Sequence, residues 1–155
     1  MSQHILIRAV IPEDLEAVSV LEHEAFDSNA YPSFFFRQAY DVFGDLFRVA
    51  ENECGEITGY VLGSIQSGSL DGWILSLAVR EEHQRRGIAK LLVTSLLERL
   101  SKKGAETVLL TVEPDNEKAK KTYRSLGFNE ENTIADCFGP GEARTVMRRK
   151  VKRQL

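Results

Sequence analysis

Cysteine is scarce in this chain: Cys54 and Cys137 are the only two in 155 residues. Two thiols fall short of the disulfide framework of a small secreted protein, and the start, Met1-Ser2-Gln3-His4, has no basic signal segment. The expectation is two reduced thiols in a cytoplasmic protein. Long apolar runs are also missing; none approaches the ~18 residues of a membrane span. Nor is there an excess of one charge: 20 Lys and Arg against 23 Asp and Glu leave a net charge of -3. A general nucleic-acid binder is usually basic, so that class is disfavoured. The one basic run, Arg148-Arg149-Lys150-Val151-Lys152-Arg153, reads as a solvated strand end or tail. The three histidines and two cysteines show no metal-ligand spacing, so no metal is expected. No Ser-His-Asp or Cys-His nucleophile pattern stands out.

What is present is the pattern of one α/β domain spanning 1–155, with no repeat or linker. Residues 4–10 alternate as a strand. Pro12, Glu13 and Asp14 open a helix carrying Leu15, Val18, Leu21 and Ala25. A second helix runs from Pro32-Ser33 to about Tyr40. Strands are expected at 46–52, 57–66 and 73–79, with a turn at Asp71-Gly72. Ile88, Leu91, Leu92, Leu96 and Leu100 recur at helical spacing over 87–102. A strand at 107–112, a helix at 115–125 and a last antiparallel pair at 132–138 and 143–151 complete the order.

The densest stretch is Leu77-Ala-Val-Arg80 followed by Gln84-Arg85-Arg86-Gly87-Ile88-Ala89. It reads as strand, basic turn and helix start. Gly87 lets backbone approach a ligand, and the first helical amides lack intrahelical acceptors. With the helix dipole and Arg85, Arg86 and Lys90, that makes an anion site suited to a pyrophosphate. Further on, Asn116, Ala119 and Tyr123 share a helical face, ahead of Leu126-Gly127-Phe128. Asn116 could hydrogen-bond a ligand or cap its helix.

Together these two motifs, over 77–128, resemble the GCN5-related N-acetyltransferase (GNAT) superfamily. Its patterns are Gln/Arg-x-x-Gly-x-Gly/Ala and Asn-x-x-Ala-x-x-x-Tyr-x-x-x-Gly-Phe. Glu22-His-Glu-Ala-Phe26, Tyr31-Pro32 and residues 139–147 are similar to the ribosomal-protein-alanine and N-terminal acetyltransferase branch. The resemblance implies a mixed, mostly antiparallel sheet of six to seven strands, with helices on both faces and splayed central strands. It implies acetyl-CoA as donor and a primary amine as acceptor. The pantetheine would add to the strand at Leu77, Ala78 and Val79, facing Leu109 to Thr111. Gln84, Arg85, Arg86, Gly87, Ile88, Ala89 and Lys90 would hold the pyrophosphate, and Asn116, Ala119 and Tyr123 the arm. Tyr123 matches the family's general acid, and the Leu77 N–H is the candidate to polarise the acetyl carbonyl.

The base has several candidates. Thr111 stands where the branch often has Glu or His, and cannot take a proton. Glu113, two residues on, is the candidate substitute; Glu22 and Glu24 are others, each otherwise an exposed carboxylate. Trp73 holds a further family position for a base or aromatic. Cys137-Phe138 replaces the branch's paired tyrosines. Glu22, Phe26, Tyr31, Phe35 and Thr111 are expected on the acceptor side. Phe34, Phe35 and Phe36 cannot all point inward on one helix. His83 is read as an exposed loop residue. An N-acetyltransferase for a protein or peptide amine is the leading reading. A small-molecule amine acetyltransferase (polyamine, amino acid or antibiotic) and a non-catalytic acyl-CoA sensor stay open. So does a homodimer through the last strands or the aromatic helix; no residue decides it.

Overall fold

The structure, a computed structural model, describes residues 4–84 and 86–151. Arg85, Lys152 and Arg153 from the motifs above lie outside them. The strands are β1 (Leu6–Ala9), β2 (Phe47–Glu51), β3 (Ile57–Ile65), β4 (Asp71–Val79), β5 (Thr107–Val112), β6 (Asn129–Ile134) and β7 (Arg144–Lys150). The helices are α1 (Leu15–Phe26), α2 (Ser33–Phe43), α3 (Ile88–Lys102) and α4 (Glu117–Ser125). The seven strands form one sheet in the order β1-β2-β3-β4-β5-β7-β6. All neighbours are antiparallel except β4 and β5, which are parallel and joined by the crossover helix α3. This is the mixed, mostly antiparallel α/β sheet that the motifs implied.

Each face of the sheet has its own core. On one, α3 lays Ile88, Leu92, Leu96 and Leu100 over Val61, Ile74, Val108 and Leu110, and α4 packs beside it through Ala119 and Tyr123. On the other, Val18 and Leu21 of α1 and Phe36 and Ala39 of α2 cover Phe47, Val49, Tyr60 and Leu62. Helix α3 sits close: a Cβ on Gly63 would lie 2.8 Å from both Leu96 methyls. Truncating Leu96, fully buried there, would cost roughly 2–5 kcal/mol. The entry to α1 is fixed by Asp14, which accepts from the Ile11 N–H at 2.9 Å and meets Arg8 at 2.8 Å.

Helix α2 runs on to Phe43, past the expected end near Tyr40, and three further boundaries differ from expectation. Asp71-Gly72 is not a turn but the start of β4, because Gly72 lets Leu100 pack directly on the strand, 3.1 Å from where a Cβ would stand. Helix α4 starts at Glu117 rather than 115, since Asn116 is its cap. The strand expected at 132–138 lies at Asn129–Ile134 instead. Buried Phe128 leads straight into it. Asp136 has a positive φ of 54° and accepts from the Gly141 N–H at 2.7 Å, so the next residues form the turn. β6 is a polar edge strand whose Asn-Glu-Glu-Asn start has no apolar alternation to read.

Candidate active site at the parting of the central strands

The two parallel central strands separate soon after they meet. Their pairing is confined to Asp71, Gly72 and Trp73 with Thr107, Val108 and Leu109. Leu109 therefore pairs with Trp73, not with the Leu77–Val79 segment as expected. Beyond Trp73 the strands part, and Glu113 follows directly after the end of β5. Trp73 lies at the closed end, ~13 Å along the strand from Leu77, too far to serve as a base there.

β4 also carries a bulge. Its register with β3 shifts between Leu62 and Gly63, which pair with Ser76 and Ile74. Leu75 is the extra residue, and it flips the alternation. Ile74 faces α3, whereas Leu75 packs towards α1 and α2 and Ser76 bonds to Glu22 of α1. Beyond it the order resumes: Leu77 and Val79 face α3 and Ala78 the other side. The Arg80 N–H donates to the Thr58 carbonyl on β3 at 2.8 Å. Strand alternation then turns the backbone groups of Leu77 and Val79 towards the gap. The Val79 carbonyl accepts from Gln84 Nε2 at 3.1 Å, while Lys118 donates to Gln84 Oε1 at 3.1 Å, tying the turn to α4.

At the turn, Gly87 has φ 78° and open space where a Cβ would be. The first helical bond of α3 runs from the Leu91 N–H to the Gly87 carbonyl, so the amides of Ile88, Ala89 and Lys90 precede it. On α4, Asn116 caps the helix, accepting from the Ala119 N–H at 3.1 Å. Tyr123 is half-buried and meets the Phe128 ring edge-on at 5.8 Å. Burial pushes its phenol well above the ordinary tyrosine value, so it stays a proton donor at neutral pH.

These residues line one cleft of about 590 Å³. It brings together Leu77, Ala78, Val79, Gln84, Gly87, Ile88, Ala89 and Lys90 with Asn116, Ala119 and Tyr123. It also takes in Ala25 and Phe26, from the helix on the opposite face, so it passes through the parting. His83, expected to be an exposed loop residue, is half-buried and lines the cleft; its Nδ1 is buried with no hydrogen-bond partner among the described residues. Strand groups turned to a gap, helix-start amides that precede the first α3 bond, the open space at Gly87 and this orphaned nitrogen fit an extended, amide-bearing, phosphate-ended ligand such as acetyl-CoA. Among the described residues no cluster of potential metal ligands occurs.

The remaining predicted residues stand outside this cleft. Leu110 and Val112 belong to the α3-side core, so Thr111 projects to the α1–α2 side. Glu113 is exposed; it accepts from Asn29 Nδ2 at 3.4 Å and lies 3.9 Å from the Arg144 guanidinium, which stacks on Phe138 at 4.6 Å. Tyr31 stacks on Phe35 with centroids 4.4 Å apart. Of the three phenylalanines, Phe36 is buried and Phe34 exposed, as one helix requires. Glu22 is not an exposed acid: it is buried, and it holds Tyr60, Ser76 and the Tyr31 amide. Glu24 is exposed and lines a depression on the outer side of α1, away from the cleft. Sequence reasoning missed Ser76 and Tyr60, which stand in no motif, and gave no role to Arg144, although it lies in the 139–147 segment.

The Acetyltransferase (GNAT) family model matches residues 13–128. An uncharacterized N-acetyltransferase of Methanocaldococcus jannaschii is 30% identical over 94% of this chain and 92% of its own length. An N-alpha-acetyltransferase of Sulfurisphaera tokodaii is 28% identical over 86% of each chain. Among solved structures, Chaetomium thermophilum Naa20, in complex with a bisubstrate analogue, superposes with a TM-score of 0.83 at 27% identity, covering 96% of this chain and 87% of that one. With the match running across both motifs and the cleft they line, the chain belongs to the GNAT family and is an N-acetyltransferase.

Proposed function

We propose that this enzyme acetylates the α-amino group at the N-terminus of a protein or peptide. The observation that carries the reading is the cleft's passage through the sheet, from the α3–α4 side to Ala25 and Phe26 of α1. An amine can thus approach from the side opposite the donor. The likeness to an N-alpha-acetyltransferase supports the choice of acceptor.

Acetyl-CoA, bound along β4, supplies a thioester that an amine can attack directly. The Leu77 N–H, turned into the gap, donates to the acetyl oxygen as negative charge gathers there. Glu113, just past the end of β5, takes the proton from the attacking nitrogen, directly or through one water. As the C–N bond forms and the C–S bond breaks, Tyr123 gives its proton to the departing sulfur and regains one from solvent. Phe26, Tyr31, Phe35 and Thr111 form the acceptor wall, while Gln84, Arg85, Arg86, Gly87, Ile88, Ala89 and Lys90 hold the phosphates.

Release of CoA is measured with peptide pools and small-amine pools, for wild type and Tyr123→Phe. Turnover is expected on peptides, lowered at least ~10²-fold in Tyr123→Phe with CoA affinity kept. Because burial raises the Tyr123 pKa, the loss of rate from its deprotonation should fall above the ~10 of a free tyrosine. Turnover confined to small amines would overturn the acceptor assignment.

A further inference from the structure

Glu22 is a charge-bearing side chain, 1% exposed, that the mechanism above does not use. Both its oxygens accept hydrogen bonds. Oε1 accepts from the Tyr60 hydroxyl and, at 2.9 Å, from Ser76 Oγ; Oε2 accepts from the Tyr31 backbone N–H at 2.9 Å. Tyr60 and Ser76 are themselves 2.8 Å apart. Two hydroxyl protons therefore serve three oxygen–oxygen contacts, and both are needed by the carboxylate. Burial and the Glu22 charge together push the Tyr60 phenol well above its ordinary value, so it remains a donor.

What this carboxylate joins matters more than its burial. Ser76 is the residue that the bulge at Leu75 turns to the α1 side, and it directly precedes Leu77. Tyr31 lies in the linker between α1 and α2, one residue before the Pro32 cap, and its ring stacks on Phe35. One carboxylate thus fastens the bulge beside the carbonyl-polarising amide and the linker that carries the acceptor wall. A glutamate used only as core filler would be a poor choice, since an apolar residue would avoid burying a charge.

We infer that Glu22 is a positioning residue: through Ser76 it fixes the aim of the Leu77 amide, and through the Tyr31 amide it fixes the acceptor wall. This rests on the roles given to Leu77 and Tyr31 under the proposed function. Glutamine would keep the shape, but its NH2 group cannot accept from either the Tyr31 amide or the two hydroxyls, whichever way it is turned.

The test uses the full chain and the variants Glu22→Gln, Ser76→Ala, Ser76→Thr and the Glu22→Gln/Ser76→Ala pair. Readouts are thermal midpoint, CoA affinity, kcat and acceptor KM on whichever amine wild type accepts, and amide hydrogen exchange of residues 27–31 and 74–79. For folded Glu22→Gln, a tenfold or larger fall in kcat and a rise in acceptor KM are expected, with CoA affinity within twofold. Exchange should quicken in both segments. Ser76→Ala should lower kcat without moving acceptor KM, Ser76→Thr should restore it, and the double variant should fall no further in kcat than Glu22→Gln alone. Folded Glu22→Gln with kcat and KM within twofold of wild type, or unchanged exchange in both segments, would overturn the inference. A wild type active only on small amines would sink the peptide assignment instead and leave this result readable. Should Glu22→Gln fail to fold, the contrast of Ser76→Ala with Ser76→Thr in kcat decides, and equal values overturn the inference.

Discussion

The cleft and the region proposed to receive the acceptor beside it are built differently. On the donor side, the pieces are close in sequence: β4, its turn and the start of α3 follow one another, and Asn116, Ala119 and Tyr123 lie on one helix. In the proposed mechanism much of the donor binding falls to backbone: strand groups turned to a gap and amides at a helix start. On the acceptor side, side chains distant in sequence meet. Glu22 bonds Ser76 across 54 positions, and Asn29 meets Glu113 across 84. The donor side can thus be specified by a few glycine and small-residue positions, whereas the acceptor side depends on how the fold closes.

That contrast breaks first if the donor cleft tolerates bulk. Ala119 lines it, and Ala119→Phe would place a ring where the extended ligand must run. CoA affinity measured by calorimetry should drop by ~10²-fold or more, taking the loss of buried ligand contact at several kcal/mol. Gly87→Ala comes next. With φ 78° and open space around it, the substitution strains backbone rather than creating a clash. At ~1–2 kcal/mol for a non-glycine residue in that region, CoA affinity or stability should fall about 5- to 30-fold. Acceptor KM, corrected for CoA occupancy, should stay put in both; if it rises as much as the CoA dissociation constant, the two regions are not separable.

The same contrast explains what the sequence made legible. The Gln84–Ala89 turn, the Asn116–Tyr123 face and the leucine spacing of α3 are local patterns; the structure brings Gln84, Gly87, Ile88 and Ala89 together with Asn116, Ala119 and Tyr123 at one cleft and lays Leu92, Leu96 and Leu100 on the sheet. The β4 bulge was not legible, since an apolar strand reads alike with or without an extra residue; it surfaces only as a register shift against β3. Glu22 read as an exposed acid because no local pattern separates a surface glutamate from one buried under hydroxyls contributed by β3 and β4. The last hairpin slipped for a similar reason: edge strand β6 is polar except for Ile134 at its end, so its bounds are set by Phe128 and the Asp136 turn rather than by alternation.

A smaller effect should sharpen the acceptor half. Arg144 stacks on Phe138 and pairs with Glu113 and Glu142, at 3.9 and 3.3 Å. Arg144→Gln removes the cation between them, leaving Glu113 free to shift from Asn29. A partly exposed pair of this kind contributes ~0.5–1 kcal/mol, so peptide KM should rise about two- to fivefold while CoA affinity is unchanged. A change in CoA affinity of the same size would mean that the β6–β7 turn serves the donor side as well.

The smallest effect tests whether a residue of the donor motif can act through structure alone. Asn116 lines the cleft and also accepts the Ala119 N–H at 3.1 Å, satisfying one of the free amides of α4. Asn116→Ala removes both the cap and any ligand bond; Asn116→Asp keeps an acceptor for the cap but has no amide N–H to offer a ligand. The cap contributes ~1 kcal/mol, or about 2–4 °C in a domain of this size. Asn116→Ala should lose that much in the thermal midpoint and Asn116→Asp should not. If CoA affinity follows stability, falling in alanine and holding in aspartate, Asn116 serves the ligand by starting α4 in the right place. If affinity falls equally in both, its amide touches the ligand, and even the local half of the site uses a side chain where backbone would have sufficed.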